Sequence, residues 1–292
     1  MIRRRVVRVP ASSANLGPGF DCMALAVDIA NQISVDTEAA PGVAVEGEGA
    51  GDLPTDETNL VVRAMAHLAR EAGKDLPALS VTCRNAIPLE RGLGSSAAAA
   101  VGGLVLADRV LGTRLPPHGL LELAASIEGH ADNAAAAIHG GVVLTYRDAR
   151  EEWRVERLRP SPDLRPLLLV PEDERVSTEA ARRALPAQVP LESAAFNAAR
   201  AALLIVALTT SPHLLREALR DRVHQGSRLR LAPGSEALFR RLVGAGVPTC
   251  VAGSGPSLLA FEDDAAPLPD PGPGWRAIRT RIDPRGVHLE ED

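Results

Sequence analysis

The sequence predicts an α+β fold, in which strands and helices mix without strict alternation. Runs rich in Val, Ile and Leu predict strands, and apolar residues spaced three and four apart predict helices. Helices do not follow every strand, so the pattern disfavours a doubly wound parallel sheet. Two glycine turns add to this picture, one before an alanine-rich helix and the other between two late strands.

The first half of the chain predicts five strands and three helices. We expect the strands at 5–9, 25–35, 43–45, 79–83 and 141–146. The helices are expected at 56–71, where Gly73 ends the helical spacing, at the alanines from 97 to about Gly112, and at 117–128.

The second half predicts strands at 153–158, 167–170, 247–251, 256–261 and 275–280, with helices from Thr178, at 194–208 and at 235–243. The segment 147–166 is rich in arginine and proline, which is typical of a domain junction. We therefore divide the chain into an N-terminal domain, 1–155, and a C-terminal domain, 156–292.

Composition excludes several classes of protein. The net charge of -5 argues against a general nucleic-acid binder, and 2% aromatic residues leave too few rings for a stacking platform. The three cysteines fit neither a disulfide framework nor a zinc pattern. No apolar run reaches spanning length and no signal-peptide core begins the chain, so we expect a cytoplasmic protein.

The stretch from Pro88 to Ala98 is the most informative part of the chain. Gly92 and Gly94 let the backbone turn sharply with its N–H groups inward, and a helix of high propensity follows. A glycine loop before a helix N-terminus gathers unsatisfied donors and the positive end of the helix dipole, which favours phosphate. The single lysine, Lys74, lies elsewhere, so a P-loop kinase is excluded. The alternative is a tight turn before a buried helix.

Three further motifs accompany this loop. Residues 10–21 read Pro-Ala-Ser-Ser-Ala-Asn-Leu-Gly-Pro-Gly-Phe-Asp, a small, turn-rich segment directly after a strand. Residues 122–133 read Glu-Leu-Ala-Ala-Ser-Ile-Glu-Gly-His-Ala-Asp-Asn, running from a helix end into a turn. Residues 251–257 read Val-Ala-Gly-Ser-Gly-Pro-Ser, a second glycine turn that we expect to support the first loop.

Together the four motifs resemble the GHMP family of small-molecule kinases, in the family's order and over nearly the whole chain. Within the family, residues 10–21 and 128–133 look like the corresponding segments of homoserine kinases. The resemblance implies an N-terminal domain similar to the second domain of ribosomal protein S5, a C-terminal ferredoxin-like domain, and an active site between them. It also implies transfer of the γ-phosphoryl group of ATP to the side-chain hydroxyl of L-homoserine, giving O-phospho-L-homoserine for threonine biosynthesis.

The resemblance assigns the nucleotide and metal sites. Asn59 matches the position that contacts the nucleoside, and Mg²⁺ would be held by Ser96 and Glu122, with Glu128 as a competing candidate. A hydroxyl and a carboxylate are hard oxygen ligands that suit this metal. ATP would lie along Pro88, Leu89, Glu90, Arg91, Gly92, Leu93, Gly94, Ser95, Ser96, Ala97 and Ala98.

A zwitterionic acceptor needs an acidic side chain to bind its ammonium group and a basic side chain to bind its carboxylate. Asp21, with Asn15 beside it, would take the ammonium group, and the family's Thr-x-x-x-Arg matches Thr178 and Arg182, which lie on one helix face. Arg228 matches its second arginine. For each arginine the alternative is an ordinary surface charge.

At the hydroxyl end we expect His130, with Asp132 and Asn133 as the catalytic residues that orient the hydroxyl; how the proton leaves stays open. The family implies a possible homodimer. Two other functions stay open. One is a GHMP kinase for another alcohol, of the mevalonate or diphosphocytidyl polyol type, and the other is a non-catalytic ligand sensor.

Overall fold

A computed structural model describes residues 4–264 and 266–290. Its strands are β1 (Arg4–Ala14), β2 (Met23–Asp36), β3 (Gly42–Gly47), β4 (Ser80–Asn85), β5 (Val142–Arg147), β6 (Trp153–Leu158), β7 (Pro166–Pro171), β8 (Thr249–Val251), β9 (Leu258–Phe261), β10 (Trp275–Arg279) and β11 (His288–Leu289). Its helices are α1 (Leu60–Glu71), α2 (Ser95–Leu111), α3 (Pro117–Glu128), α4 (Asp132–His139), α5 (Thr178–Arg183), α6 (Leu191–Thr209), α7 (Leu215–Ala218), α8 (Gln225–Leu229) and α9 (Pro233–Gly244). These elements confirm the α+β prediction.

The first sheet runs in the order β11-β1-β2-β4-β3, and β5 pairs with both β2 and β6. Helices α2 and α4 pack on β1 and β2, and α1 and α3 pack beside α2. Glycine permits the closest of these contacts, because a Cβ at Gly103 of α2 would lie 2.4 Å from the Val61 carbonyl oxygen of α1. The alanine-rich sequence of α2 therefore serves dense helix packing.

The second sheet has the order β10-β7-β9-β8 and is antiparallel throughout. In chain order its strands stand 4-1-3-2, the arrangement of a ferredoxin-like sheet. The central strand β7 is buried on both faces: Leu168 and Val170 join the main core, whereas Leu167 and Leu169 pack in a second core with Leu238 of α9. Burial on both faces explains its unbroken apolar sequence.

The predicted division after residue 155 falls inside β6. This strand pairs with β5 from Val142 opposite Leu158 to Arg147 opposite Trp153, so residues 156–158 lie in the first sheet. The end of the chain also returns there, because β11 pairs with β1. Backbone hydrogen bonding, rather than composition, sets where each sheet ends, and the division into two domains stays a prediction.

The sequence patterns missed four of these elements: α4, α7, α8 and β11. Helix α4 begins three residues after Gly129, the glycine that ends α3, where the sequence predicts only a turn. Its run of four alanines, 134–137, is a helix signal that the preceding turn residues obscured.

Contrary to the expectation from the sequence, helix α6 is long and apolar enough to cross a membrane by length and composition alone. A single such helix is weak evidence for a membrane span, since the core helix of a soluble protein can meet the same test.

Candidate active site

The glycine loop between β4 and α2 is built on left-handed backbone. Gly92 and Gly94 have φ values of 70° and 69°, a region that glycine enters without strain. A Cβ at Gly92 would lie 2.1 Å from the Ala252 carbonyl oxygen, and one at Gly253 would lie 2.4 Å from the Gly92 carbonyl oxygen. The two glycine turns therefore lie against each other, which confirms the expected support of the loop.

The first motif lies on the other side of the same loop. A Cβ at Gly94 would meet the Ser12 hydroxyl at 2.2 Å, and the Ser12 amide donates to the Leu93 carbonyl oxygen at 3.1 Å. The Asn15 side chain reaches the second glycine turn, where it donates to the Gly253 carbonyl oxygen at 2.9 Å. Three motifs far apart in sequence thus meet at one point.

The loop leads directly into the N-terminus of α2. Gly94 is the N-cap and no side chain caps the helix within the described residues, whereas Ser95 and Ser96 form its first turn. The N-cap is therefore a glycine, and not either of the two serines that follow it. The first backbone N–H groups of a helix without a side-chain cap are available to an anion.

A cavity of about 260 Å³ opens at this helix end. It is lined by residues from the glycine loop, α4, α5 and α8. The predicted site residues among them are Asn15, Asp21, Pro88, Glu90, Arg91, Gly92, Leu93, Gly94, Ser95, Ser96, Ala97, His130, Asp132, Asn133, Thr178, Arg182 and Arg228.

A second cavity, of about 440 Å³, lies beyond the serines of α2. Apolar side chains such as Leu53 and Leu89 line much of it, and Asn59 stands at its edge. The Asn59 side chain caps α1 by accepting from the Val61 amide at 3.0 Å, and it donates to the Pro54 carbonyl oxygen at 2.8 Å. A mostly apolar lining with a few polar groups is typical of a small-molecule site.

The structure does not bring together the predicted metal pair of Ser96 and Glu122. The Glu122 carboxylate accepts from the Trp153 amide at 2.6 Å and is not among the cavity residues, because its face of α3 packs against β6. The Ser96 hydroxyl instead donates to the Glu128 carboxylate at 2.7 Å. Burial raises the pKa of Glu128, an effect that the Ser96 hydrogen bond and the nearby His130 oppose.

The side chain of His130, just before α4, binds that of Asp132, the first residue of this helix. The His130 ring and the Asp132 carboxylate lie 2.8 Å apart, and Asp132 is 2% exposed. Burial lowers the pKa of His130, but the hydrogen bond and charge of Asp132, with the charge of Glu128, outweigh it and leave that pKa raised. Asn133 accepts from the Ser12 hydroxyl at 2.9 Å, so its amide is fixed beside the glycine loop.

The side chains predicted for the acceptor also meet. Arg182 donates to both carboxylate oxygens of Asp21, at 2.9 and 3.0 Å. Arg228 is buried and donates to the Gly253 carbonyl oxygen at 2.7 Å, and its Nε has no partner in the described part of the chain. Burial lowers the pKa of Arg228 to about 10, which leaves it cationic at neutral pH. Thr178 lines the same cavity.

Two contributors escaped the sequence analysis. The Phe20 ring lies 5.9 Å from the Arg182 guanidinium and 5.4 Å from that of Arg228, so it packs close to both arginines. His224 holds Arg228 through its Nδ1, 3.1 Å away, and its Nε2 lies 2.6 Å from the Gly17 carbonyl oxygen. Burial lowers the pKa of His224, so the ring is neutral. The sequence offered one signal for each residue: Phe20 directly precedes the predicted Asp21, and His224 lies four positions before the predicted Arg228.

Arg91 binds the other half of the molecule rather than the cavity centre. Its guanidinium donates to the carbonyl oxygens of Pro171 at 2.8 Å and of Glu172 at 2.6 Å, directly after β7. Ala98 is fully buried in the first turns of α2. Arg91 lines the cavity with its guanidinium already hydrogen-bonded to these carbonyl oxygens, and the Ala98 side chain has no polar group to offer a ligand.

Among the described residues, no group of three or more His, Cys, Asp or Glu side chains is arranged to hold a metal ion. The Ser96 hydroxyl and the Glu128 carboxylate form a pair of hard oxygen donors at the helix end. Such a pair fits a magnesium ion that takes its remaining ligands from water and phosphate.

Comparison with known proteins gives the same family by sequence and by fold. Residues 59–141 match the family described as the GHMP kinases N terminal domain. The homoserine kinase of Leifsonia xyli is 43% identical over 96% of this chain and 85% of its own, and that of Mycolicibacterium vanbaalenii is 45% identical over 88% and 84%. The crystal structure of homoserine kinase from Cytophaga hutchinsonii superposes with a TM-score of 0.85 at 26% identity, covering 99% of this chain and 98% of that one. The chain belongs to the homoserine kinases of the GHMP kinase family.

Proposed function

We propose that this protein transfers the γ-phosphoryl group of ATP to the side-chain hydroxyl of L-homoserine, giving O-phospho-L-homoserine on the route to threonine. The observation that carries the proposal is the 260 Å³ cavity, which joins an anion-binding helix end to an acid and two arginines. The first feature suits a triphosphate, and the second suits a small amino acid.

ATP is assigned to the two adjoining cavities. Its base and ribose would occupy the 440 Å³ cavity beside Asn59, and its phosphates would meet the N–H groups of the glycine loop and of the first turn of α2. No lysine assists, because Lys74 donates to the Leu111 carbonyl oxygen at the opposite end of α2. The backbone therefore supplies most of the phosphate contacts.

Magnesium is assigned to Ser96 and Glu128, in place of the pairing with Glu122. When bound, the ion would draw charge from the phosphate oxygens as the phosphoryl group moves. The raised pKa of Glu128 reflects the cost of its charge in a half-buried position, and a cation there would offset that cost.

The acceptor is assigned to the opposite wall. Asp21 would bind the ammonium group with Asn15 beside it, and Arg182 and Arg228 would bind the carboxylate, with Thr178 on the same face of α5. The hydroxyl would then lie near Asp132 and Asn133, which we assign to orienting it towards the phosphate. His130 holds Asp132 in place. Transfer depends chiefly on this alignment and on charge neutralisation.

A coupled assay of ADP release tests the proposal. With ATP and Mg²⁺ present, L-homoserine should be turned over well above L-serine, mevalonate, galactose and a diphosphocytidyl polyol. Faster release with mevalonate or the polyol would identify another kinase of the family. ATP binding without ADP release for any of these alcohols would favour a ligand sensor.

We further propose a cytoplasmic homodimer. All three cysteines are unpaired, and two of them, Cys83 and Cys250, are buried, which suits a reducing compartment. The exposed face of α6 supports self-association: Leu191 is 85% and Val206 43% exposed, and the alanines 195, 198 and 202 between them are exposed as well.

A further inference from the structure

The two opposite charges of the proposed acceptor site are bound to each other in the free protein. Both Nη atoms of Arg182 donate to the Asp21 carboxylate, at 2.9 and 3.0 Å, in a bidentate ion pair. The paired side chains are partly open to solvent, 45% for Arg182 and 35% for Asp21. The two charged side chains that would bind a zwitterion are therefore already bound to each other.

The two partners differ in how firmly they are held. The Asp21 backbone amide donates to the Asn15 side chain at 3.0 Å, and its φ of 55° belongs to the tight turn after the first motif. Arg182 reaches across 161 positions of sequence from the short helix α5 with a long, rotatable side chain. Opening the pair therefore requires movement of Arg182 and little movement of Asp21.

Other charges near the pair stay in place when it opens. Arg228 is buried and bound by Gly253 and His224, and the Phe20 ring lies 5.4 Å from its guanidinium and 5.9 Å from that of Arg182. His130 and Asp132 bind each other at the far end of the cavity. Within the described residues, Asp21 and Arg182 thus form the one ion pair of the cavity that joins α5 to the first motif.

We propose that the Asp21–Arg182 ion pair is a filter that admits zwitterions and rejects ligands with a single charge. An amino acid offers an ammonium group to Asp21 and a carboxylate to Arg182, so one ion pair is exchanged for two. A ligand with only one of these charges breaks the pair and leaves the other partner unpaired in a half-buried site. This inference rests on the proposed function, since it concerns the same acceptor site.

The test uses two alcohols that each keep only one of the two charged groups of homoserine. 4-Hydroxybutanoate lacks the ammonium group, and 3-aminopropan-1-ol lacks the carboxylate. Dissociation constants are measured by calorimetry for the wild type, Asp21→Asn, Arg182→Gln and the double variant. Asparagine tolerates the left-handed backbone at position 21, and thermal unfolding checks that every variant is folded.

The Asp21→Asn variant should bind 4-hydroxybutanoate about two- to fivefold more tightly than the wild type, because Arg182 is released from a half-exposed pair. Arg182→Gln should likewise improve binding of 3-aminopropan-1-ol. Both single variants should lose about 10- to 100-fold in kcat/KM for homoserine, since each loses a charge-assisted contact.

The double variant separates release of the pair from simple relief of charge repulsion. With Gln at position 182, the Asp21→Asn change should leave affinity for 4-hydroxybutanoate unchanged. An equal gain in both backgrounds, or no gain in either, would overturn the filter while leaving the kinase intact. Failure of the wild type to release ADP with homoserine would instead refute the proposed function, and the affinities would still decide the filter.

Discussion

Two glutamates on α3 show how the neighbours of a carboxylate decide what it can bind. Glu122 and Glu128 are six positions apart, which at 3.6 residues per turn places them on faces about 120° apart. Only one face of α3 borders the N-terminus of α2, and the Glu128 carboxylate lies there against Ser96. Glu122 lies on the face towards β6 and stabilises the start of that strand.

The substitution Glu128→Gln should therefore raise the Mg²⁺ concentration needed for half-maximal activity by about tenfold or more. Even loss of a side chain that only supports a metal ligand lowers metal affinity by about 10- to 100-fold. The measurement is a magnesium titration of ADP release at saturating ATP and homoserine. Glu122→Gln is the matched control and should leave the magnesium requirement unchanged. The opposite order of the two variants would restore Glu122 as the ligand.

At the scale of elements, the glycine loop is shaped by its contacts as much as by its own sequence. Gly92 faces the second glycine turn and Gly94 faces the first motif, each at a distance that admits no side chain. The loop, the end of β1 and the turn before β9 therefore form one packed unit. A change in any of the three should disturb the phosphate site.

Gly92→Ala should lower Tm by several degrees and raise KM for ATP about tenfold or more. Its Cβ would lie 2.1 Å from a backbone oxygen, in addition to the cost of a left-handed alanine. Gly73→Ala is the control, because φ there is 61° and no heavy atom lies within 4 Å of the added Cβ. It should reproduce the backbone strain alone and leave KM for ATP unchanged. Similar kinetics for both variants would contradict the proposed phosphate site.

At the scale of the whole molecule, α6 connects a free surface to the acceptor site. Its inner face carries Asn197, which donates to the Asp221 carboxylate at 2.6 Å. Asp221 in turn accepts from the amides of His224 and Gln225 and so fixes the loop before α8, the helix that carries Arg228. The outer face of α6 is apolar and exposed. A subunit contact there would stabilise the loop from behind.

Ala202→Glu, in the middle of that outer face, should convert the proposed dimer to a monomer without lowering Tm by more than a few degrees. A buried charge without a partner opposes association, whereas the folded monomer leaves this position in water. Light scattering after gel filtration measures the mass, and Ala72→Glu, exposed at the end of α1, is the control. A dimer that persists in Ala202→Glu would exclude this face, and a monomeric wild type would refute the dimer.

The sequence by itself determined the fold class, most element positions and the family. Helical and strand periodicity are local, and glycines at 92, 94 and 253 mark backbone that other residues avoid, so both are legible along the chain. For the same reason the motifs located nearly all the side chains that line the cavity.

Only the tertiary structure decided which of these side chains meet. Ser96 binds Glu128 rather than Glu122, Asp21 binds Arg182, and β6 belongs to the first sheet. The two side-chain pairs join residues 32 and 161 positions apart, and their geometry depends on how helices and strands pack. Packing is a property of the whole folded chain, so no local pattern encodes these contacts.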